Sequence, residues 1–546
     1  MKNKMKNFYL VLLTFFMAGV AQSQFWTQTS YKGAFPITDN TAATDWTSGW
    51  SNFDPENTTY PATSTTVSAD ITADVTWSGV VLLQNKVYVK NNATLTIAAG
   101  TIIRGDYASQ GTLIITKGAK LIAEGTVNSP IVFTSNEAVG NRAEGDWGGV
   151  VLLGKAVNNQ PGGIANIEGI APSADTEHGG TDDNDNSGSL KYVRIEFAGI
   201  PLQPNKEING LTFGSIGNQT QIDFIQVSFS GDDSYEWFGG TVDCRHLIAY
   251  RGLDDDFDTD FGFRGRIQFG LIIRDKDLSD AAGDSNSFES DNDATGSGAL
   301  PQTAAIFSNI TTVGALGDGT IVLPIGETFS KAFRIRRNSS ISVFNSLVTG
   351  WEKGLSVEGT STEDNFTTND SAVFANNTLA GIAAGSNAVT AANSFYSSFF
   401  STDNNDSTTT VAQVSWVNIF ATLGTTPDAR LTGNSSVATG ASFTDPKFQG
   451  GFIGIEENST LISSVGVFPN PATEQATVVV NLNESNQVTI ELYDLAGKKA
   501  LSLFEGTMNA GTNYVNFSST NLNAGIYTAV ISTNGYTKSV KLVVSK

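Results

Sequence analysis

The chain has 546 residues, with 54 Asp and Glu against 32 Lys and Arg and a formal net charge of −22. An excess of that sign disfavours nucleic acid and anionic membrane surfaces as partners and keeps an exported protein soluble. One cysteine, Cys244, excludes an internal disulfide, and two histidines, His178 and His246, supply a serine triad or a multi-histidine zinc site poorly.

At the start, Lys2, Lys4 and Lys6 precede an apolar stretch from Phe8 to Val20, followed by Ala21-Gln22-Ser23. A cationic flank, a short apolar run and small residues at its exit form a secretory signal peptide over 1–23, with the mature chain beginning near Gln24. The stretch is short for a membrane span and no second one follows, so no transmembrane span is expected in the mature protein. Residues 24–75 set Trp26, Trp46, Trp50 and Tyr60 among Thr, Ser and Asn. A solenoid end needs covering, so this segment is read as an N-terminal cap over the first coil, with an aromatic carbohydrate platform as the alternative.

From 76 to 455 the chain repeats itself loosely. Thr94 to Ile103 is echoed by Thr112 to Ala123, and Pro130 to Ser135 and Gly145 to Leu153 follow; each is a short β-rich run closed by Gly, Asn or Ser. Later units carry an aromatic and end at Gly199, Gly231, Gly252, Asp275, Gly314, Gly350 and Gly381, 21 to 39 residues apart. Such spacings without helical periodicity predict a solenoid of parallel strands with insertions between coils. The opening phrases, and Asp185 to Glu196, resemble the right-handed parallel β-helices of many type IX secretion cargo proteins, which implies an all-β right-handed parallel β-helix for the body. Cys244, between Val242 and Leu247, is expected to be a buried core thiol.

Two acidic segments stand out. Asp182 to Gly188 contains Asp183 and Asp185 in the first half of a calcium-loop pattern, but Arg194 stands where the bidentate Glu belongs, so an EF-hand is not supported; a solvated insertion or a calcium contact by Asp183 and Asp185 remains. The denser segment is Gly231 to Gly240, with Asp232, Asp233 and Glu236. It recurs as Leu253 to Gly262, with Asp254, Asp255 and Asp258, and again as Asp284 to Asp291, with Glu289. The offset 254 − 232 = 22 is one coil, so Asp232 stacks on Asp254, Asp233 on Asp255 and Glu236 on Asp258. Carboxylates at the strand spacing of about 4.8 Å repel, so the ladder needs water, protonation, arginine or a cation. Calcium, which takes six to eight oxygen ligands in flexible geometry, fits best.

The spacing of Asp254, Asp255 and Asp258 resembles the acidic calcium clusters of β-helical pectate lyases. That resemblance implies calcium as a cofactor and acid–base chemistry on a polysaccharide, with Glu236, Asp258, Glu289 and Arg264 as catalytic candidates. The ladder contains no lysine to act as base, and Arg264, Arg266, Arg334 and Arg336 are the nearby cations, which can instead pair with the acids. Structural neutralised turns, ligand binding and catalysis therefore all stay open.

Residues 382 to 460 are rich in Ala, Ser, Thr and Asn, read as fading coils and then a linker over 456–464. The last segment, 465–546, opens with Phe468-Pro469-Asn470-Pro471 and runs through short alternating strands to Lys541-Leu542-Val543-Val544, the pattern of a small antiparallel sandwich. With Leu492 to Lys499 and Ala524-Gly525-Ile526-Tyr527, these motifs resemble the type A C-terminal sorting domain of the type IX secretion system. The resemblance implies secretion or outer-membrane surface display, the secretion machinery and its sortase as partners, and a lipopolysaccharide anchor or release. For the body, glycan or surface binding competes with a calcium-dependent polysaccharide lyase or glycoside hydrolase.

Overall fold

The computed structural model describes residues 25–38, 44–203, 206–280, 285–324, 329–367, 369, 371–382, 389–390, 403–420, 425–449, 462–483, 485–494, 498–533 and 536–546. The expected signal peptide, most of the expected linker, Asp284, and the middle of the Leu492 to Lys499 motif lie outside them.

The β-rich runs of the body form three lines of parallel strands. The first line starts with Val75–Trp77, Thr94–Ile97 and Lys120–Glu124, and the second with Thr65–Val67, Val80–Leu83, Ile102–Gly105 and Ile131–Ser135. From Gly188–Glu196 onward both lines are carried by single bent strands: Gln221–Ser228, Cys244–Tyr250, Arg266–Ile273 and Ile306–Val313. The third line runs from Lys86–Val89 through Thr112–Ile115, Gly149–Leu153, Leu211–Ile216, Tyr235–Gly240, Phe257–Asp260, Phe288–Ser290, Lys331–Arg336 and Lys353–Glu358. This is a right-handed parallel β-helix, the parallel solenoid that the repeats predict and the β-helix that the resemblance implies. Leu190, Ile222, Cys244, Ile267, Phe307, Val343 and Phe374 hold one position on successive coils, and the uneven sequence spacing between them is taken up by loops. All seven are buried, Cys244 among them, where burial raises its thiol pKa and leaves it inert.

The bend between the first two lines is made by residues with positive φ: Tyr192 (50°), Phe224 (57°), His246 (51°), Phe269 (66°) and Asn309 (58°). For bulky residues this conformation costs about 1–2 kcal/mol each. Stacking offsets it, because the rings form an outer ladder with centroids 4.5 Å apart for Tyr192 and Phe224, 4.2 Å for Phe224 and His246, and 5.1 Å for His246 and Phe269.

That apolar strip explains where the N-terminal segment goes. Its end does stack on the first coil, Thr65–Val67 against Val80–Leu83 and Ile71 against Val89, but its aromatics do not; they lie as a strap along the outer side of the middle and late coils. Phe25 stacks on the guanidinium groups of Arg245 and Arg266, and Trp26 on Phe448. Trp46 lies on His246, Trp50 on Tyr192 and Phe224, and the Tyr60 hydroxyl donates to Glu196 Oε2 at 2.8 Å. The strap thus runs from late coils back to early ones before the chain enters the lattice. Residues 411–420 and 425–449 also leave the lattice: Val414, Leu431 and Val437 pack on Leu347 and Ala380, and Ile37 of the strap bridges to Leu431.

The C-terminal segment is an antiparallel sandwich. Ile462–Phe468, Gln475–Leu482 and Gly511–Ser518 make one sheet; Lys499–Met508, Asn486–Asp494, Gly525–Thr533 and Tyr536–Val544 make the other. Two sequence motifs meet here: Asn470 donates from Nδ2 to the Lys541 carbonyl and accepts the Val543 N–H on Oδ1, both at 2.8 Å.

Candidate functional site

The third line of strands builds the site. Tyr235, Phe257, Phe288 and Phe333 point inward on successive coils, with ring centroids 5.4, 5.2 and 4.6 Å apart. Because neighbours along a strand face opposite ways, the next residues, Glu236, Asp258, Glu289 and Arg334, form an outward ladder. The 22-residue offset read in the sequence is the register of the lattice: Glu236 pairs with Asp258.

The acids divide into two groups. One carboxylate oxygen each from Asp232, Asp233 and Asp254 lies within 4.8 Å of the others, and the same holds for Asp233, Glu236 and Asp258, so Asp233 belongs to both sets. Ile167, Ile170 and Ile208, from the insertions, pack with Phe238 on the outer face of this sheet, and Asp233 and Glu236 are only 7% and 6% exposed. Burial first, and neighbouring carboxylates second, push Asp233, Glu236 and Asp258 well above the usual carboxylate range. Asp233, Glu236 and Asp258 make no ion pair among the described residues. Asn209 donates from Nδ2 to Glu236 Oε2, while Asn209 Oδ1 and Asp258 Oδ1 are buried with no hydrogen-bond partner among the described residues. An all-oxygen set with buried, unsatisfied acceptors has the chemistry to chelate a hard cation.

The second group is clamped by arginine. Glu289 takes Arg334 Nη1 on Oε2 at 3.1 Å and Arg336 on Oε1; Asp291 takes Arg336 Nε at 2.9 Å and Arg337 Nη1 at 2.6 Å. Asp255 belongs to neither cluster, although its charge is felt by Asp233, Asp258 and Glu289: its Oδ1 accepts the Asn286 N–H, and burial holds its carboxyl up at about 8. Two of the expected arginine partners are elsewhere. Arg264 donates from Nη2 to both oxygens of Asp183 at 3.1 Å, and Arg266 pairs with Asp243, because both belong to the approach to the first line rather than to the third. Asp183 also accepts the Val157 N–H, and Asp185 accepts the Lys155 N–H at 3.1 Å, so these two acids organise the insertion loop.

Sequence reading missed Asn209. The signal was available: Asn209 precedes Leu211 as Asp233 precedes Tyr235, and Leu211 pairs with Tyr235, so the ladder starts one coil earlier than its acids. The histidines offer no second site. His178 is fully buried on the Ser215 hydroxyl (Nδ1 to Oγ, 2.9 Å), and burial lowers its pKa to about 3; His246 sits in the aromatic ladder beside Asp223 at 2.8 Å.

With fold and site in view, residues 67–421 match the family described as the pectate-lyase-like β-helix domain, and residues 466–545 match the secretion system C-terminal sorting domain. The chain belongs to the pectate-lyase-like β-helix family. Among solved structures, this β-helix protein resembles full-length tailspike protein 2 from Escherichia coli O157:H7 bacteriophage CAB120, at 10% identity and a TM-score of 0.25, over 85% of this chain and 64% of that one. It also resembles the Dettilon tailspike protein, at 9% identity and a TM-score of 0.21, over 81% of this chain and 86% of that one. Comparison with curated proteins gives no match. The sorting domain makes this β-helix protein a cargo of the type IX secretion system, secreted or held at the cell surface, with the translocon and sortase as partners. Among the described residues, no helix is long and apolar enough to cross a membrane.

Proposed function

We propose that the exported β-helix is a binding or adhesion protein for glycans or surfaces, and that its buried acidic set holds calcium for stability rather than for turnover. One observation carries this reading: Glu236 is 6% exposed, Asp258 and Glu289 are only partly exposed, and the arginines that would serve as base are committed to Asp183, Glu289 and Asp291. A sugar ring needs an open cleft with convergent groups. Asp233, Glu236 and Asp258 would provide the oxygen ligands, with Asn209 Oδ1 adjacent. After export the body is released or tethered to surface lipopolysaccharide.

Two assays test it. Ultraviolet absorbance of unsaturated products and reducing-sugar release, run with calcium against acidic and neutral polysaccharides, should stay at background while the same polysaccharides are retained by the immobilised protein. Calcium-dependent turnover that disappears in Glu236→Gln or Asp258→Asn would establish the lyase or hydrolase instead.

A further inference from the structure

Beyond the acid ladder, the later coils carry a groove of ≈ 430 Å³. Three segments wall it: the loop with Thr295 and Gly296, the turn Arg336-Arg337-Asn338, and the end of Lys353–Glu358 with the first turn of the helix Thr360–Thr367. Asn338 ties them together. Its N–H donates to Thr362 Oγ1 at 2.9 Å, its Nδ2 donates to the Ser297 carbonyl at 2.8 Å, and its carbonyl accepts from Gln302 Nε2 at 2.6 Å and Asn365 Nδ2 at 3.1 Å. Walls cross-linked in this way are ordered before a ligand arrives, which lowers the entropy lost on binding.

Arg337 and Asn338 have φ of 47° and 66°. Through the register of Phe238 with Asp260, Thr259 with Ser290 and Ser290 with Ile335, the same positions are Gly239-Gly240 (73° and 87°) and Phe261-Gly262 (53° and 81°) on earlier coils, while Asn292-Asp293 on the coil between lack the positive φ. Glycine would make this turn without the Cβ penalty, and the Arg337 side chain is put to use beside Asp291 and the groove. Pairing with Asp291 is part of that use, but Arg336 already pairs with Asp291, and the Arg337 side chain stays 42% exposed at the groove.

The lining selects the ligand. Every lining residue is polar or a glycine, so no apolar side chain is there to select a hydrophobic ligand. Arg336 and Arg337 face Glu289 and Asp291, and Glu358 faces Arg334, so a bare anion meets no uncompensated positive charge. Hydroxyls, guanidinium N–H groups and a carboxylate remain, a mixture of donors and acceptors suited to a neutral polyol. We infer that this groove binds a neutral oligosaccharide, with Arg337, Glu358 and the Thr360 and Ser361 hydroxyls reading its ring hydroxyls. The inference rests on the glycan-binding reading above and gives it a place.

Titration calorimetry of the full exported chain with cello-, manno- and malto-oligosaccharides, and with galacturonate oligomers as the anionic comparison, tests it. Arg337→Gly removes the side chain and suits the turn, so its unfolding temperature should hold, while affinity for a neutral series falls about tenfold, the worth of one charged-donor hydrogen bond. Thr360→Val should weaken binding as well. Unchanged binding in both variants overturns the groove and leaves the binding reading standing; preference for galacturonate overturns the neutral assignment; no binding of any oligosaccharide by the unmutated protein overturns both.

Discussion

The carboxylate of Asp233 accepts the backbone N–H of Asp255, its counterpart on the next coil, at 2.9 Å. Asp255 in turn accepts the N–H of Asn286, so side chains continue the hydrogen bonding between coils where the turn interrupts the strand ladder. The acids therefore do two separable jobs, accepting a backbone N–H and carrying charge. Asp255→Asn keeps the acceptor and removes the charge; in chelator it should unfold at the same temperature as the unmutated protein or higher. Asp255→Ala leaves a buried N–H unsatisfied and should cost about 1–3 kcal/mol in denaturant unfolding.

The pH dependence follows from the raised carboxyls. Asp255 is held up at about 8, by burial first, and Asp233, Glu236 and Asp258 are also raised, whereas unfolded carboxylates titrate near about 4. Between those values the folded state binds more protons than the unfolded one, so in the absence of calcium this contribution to stability falls as pH rises from about 4 to about 8 and is flat below. Thermal unfolding in chelator should show that decline, and Asp255→Asn should shrink it.

Arg274 and Asp256 form an ion pair whose side chains are both 0% exposed, at 3.1 Å, with Arg274 also donating to the carbonyls of Leu253 and Asp254. Removing one partner leaves an uncompensated buried charge. Arg274→Met alone should cost about 3–5 kcal/mol, and adding Asp256→Leu should recover much of it, because apolar replacement of a whole buried pair is often neutral. Equilibrium urea unfolding of the single and double variants measures both.

The strap predicts long-range destabilisation from a residue outside the coils. Trp50 is 1% exposed and lies on Tyr192 and Phe224, more than a hundred positions away in the chain. Trp50→Ala should cost about 3–5 kcal/mol. An N-terminal segment that did not pack on the coils would show no such loss.

What was legible in the sequence was whatever repeats. The recurrence of Asp232-Asp233 as Asp254-Asp255 carried the register, and with it the stacking of Glu236 on Asp258. Contacts without a period were not legible. Nothing local indicates that Trp50 packs on Phe224, because a bulky residue at positive φ is rare and no propensity rule places an outward aromatic ladder at a strand bend. The partner of Arg264 likewise depends on an insertion loop folding back to bring Asp183 near, which spacing does not encode.

The central claim is that the buried acids are a structural cation site, and calcium-dependent unfolding tests it most directly. A ligand that binds only the folded state stabilises it by about 2.7 kcal/mol at a hundred times its dissociation constant. Thermal unfolding in calcium should therefore lie well above that in chelator at about pH 7, and Asp233→Asn, which alters the one residue shared by both carboxylate sets, should remove most of the difference. Identical transitions with and without calcium in the unmutated protein would contradict the account.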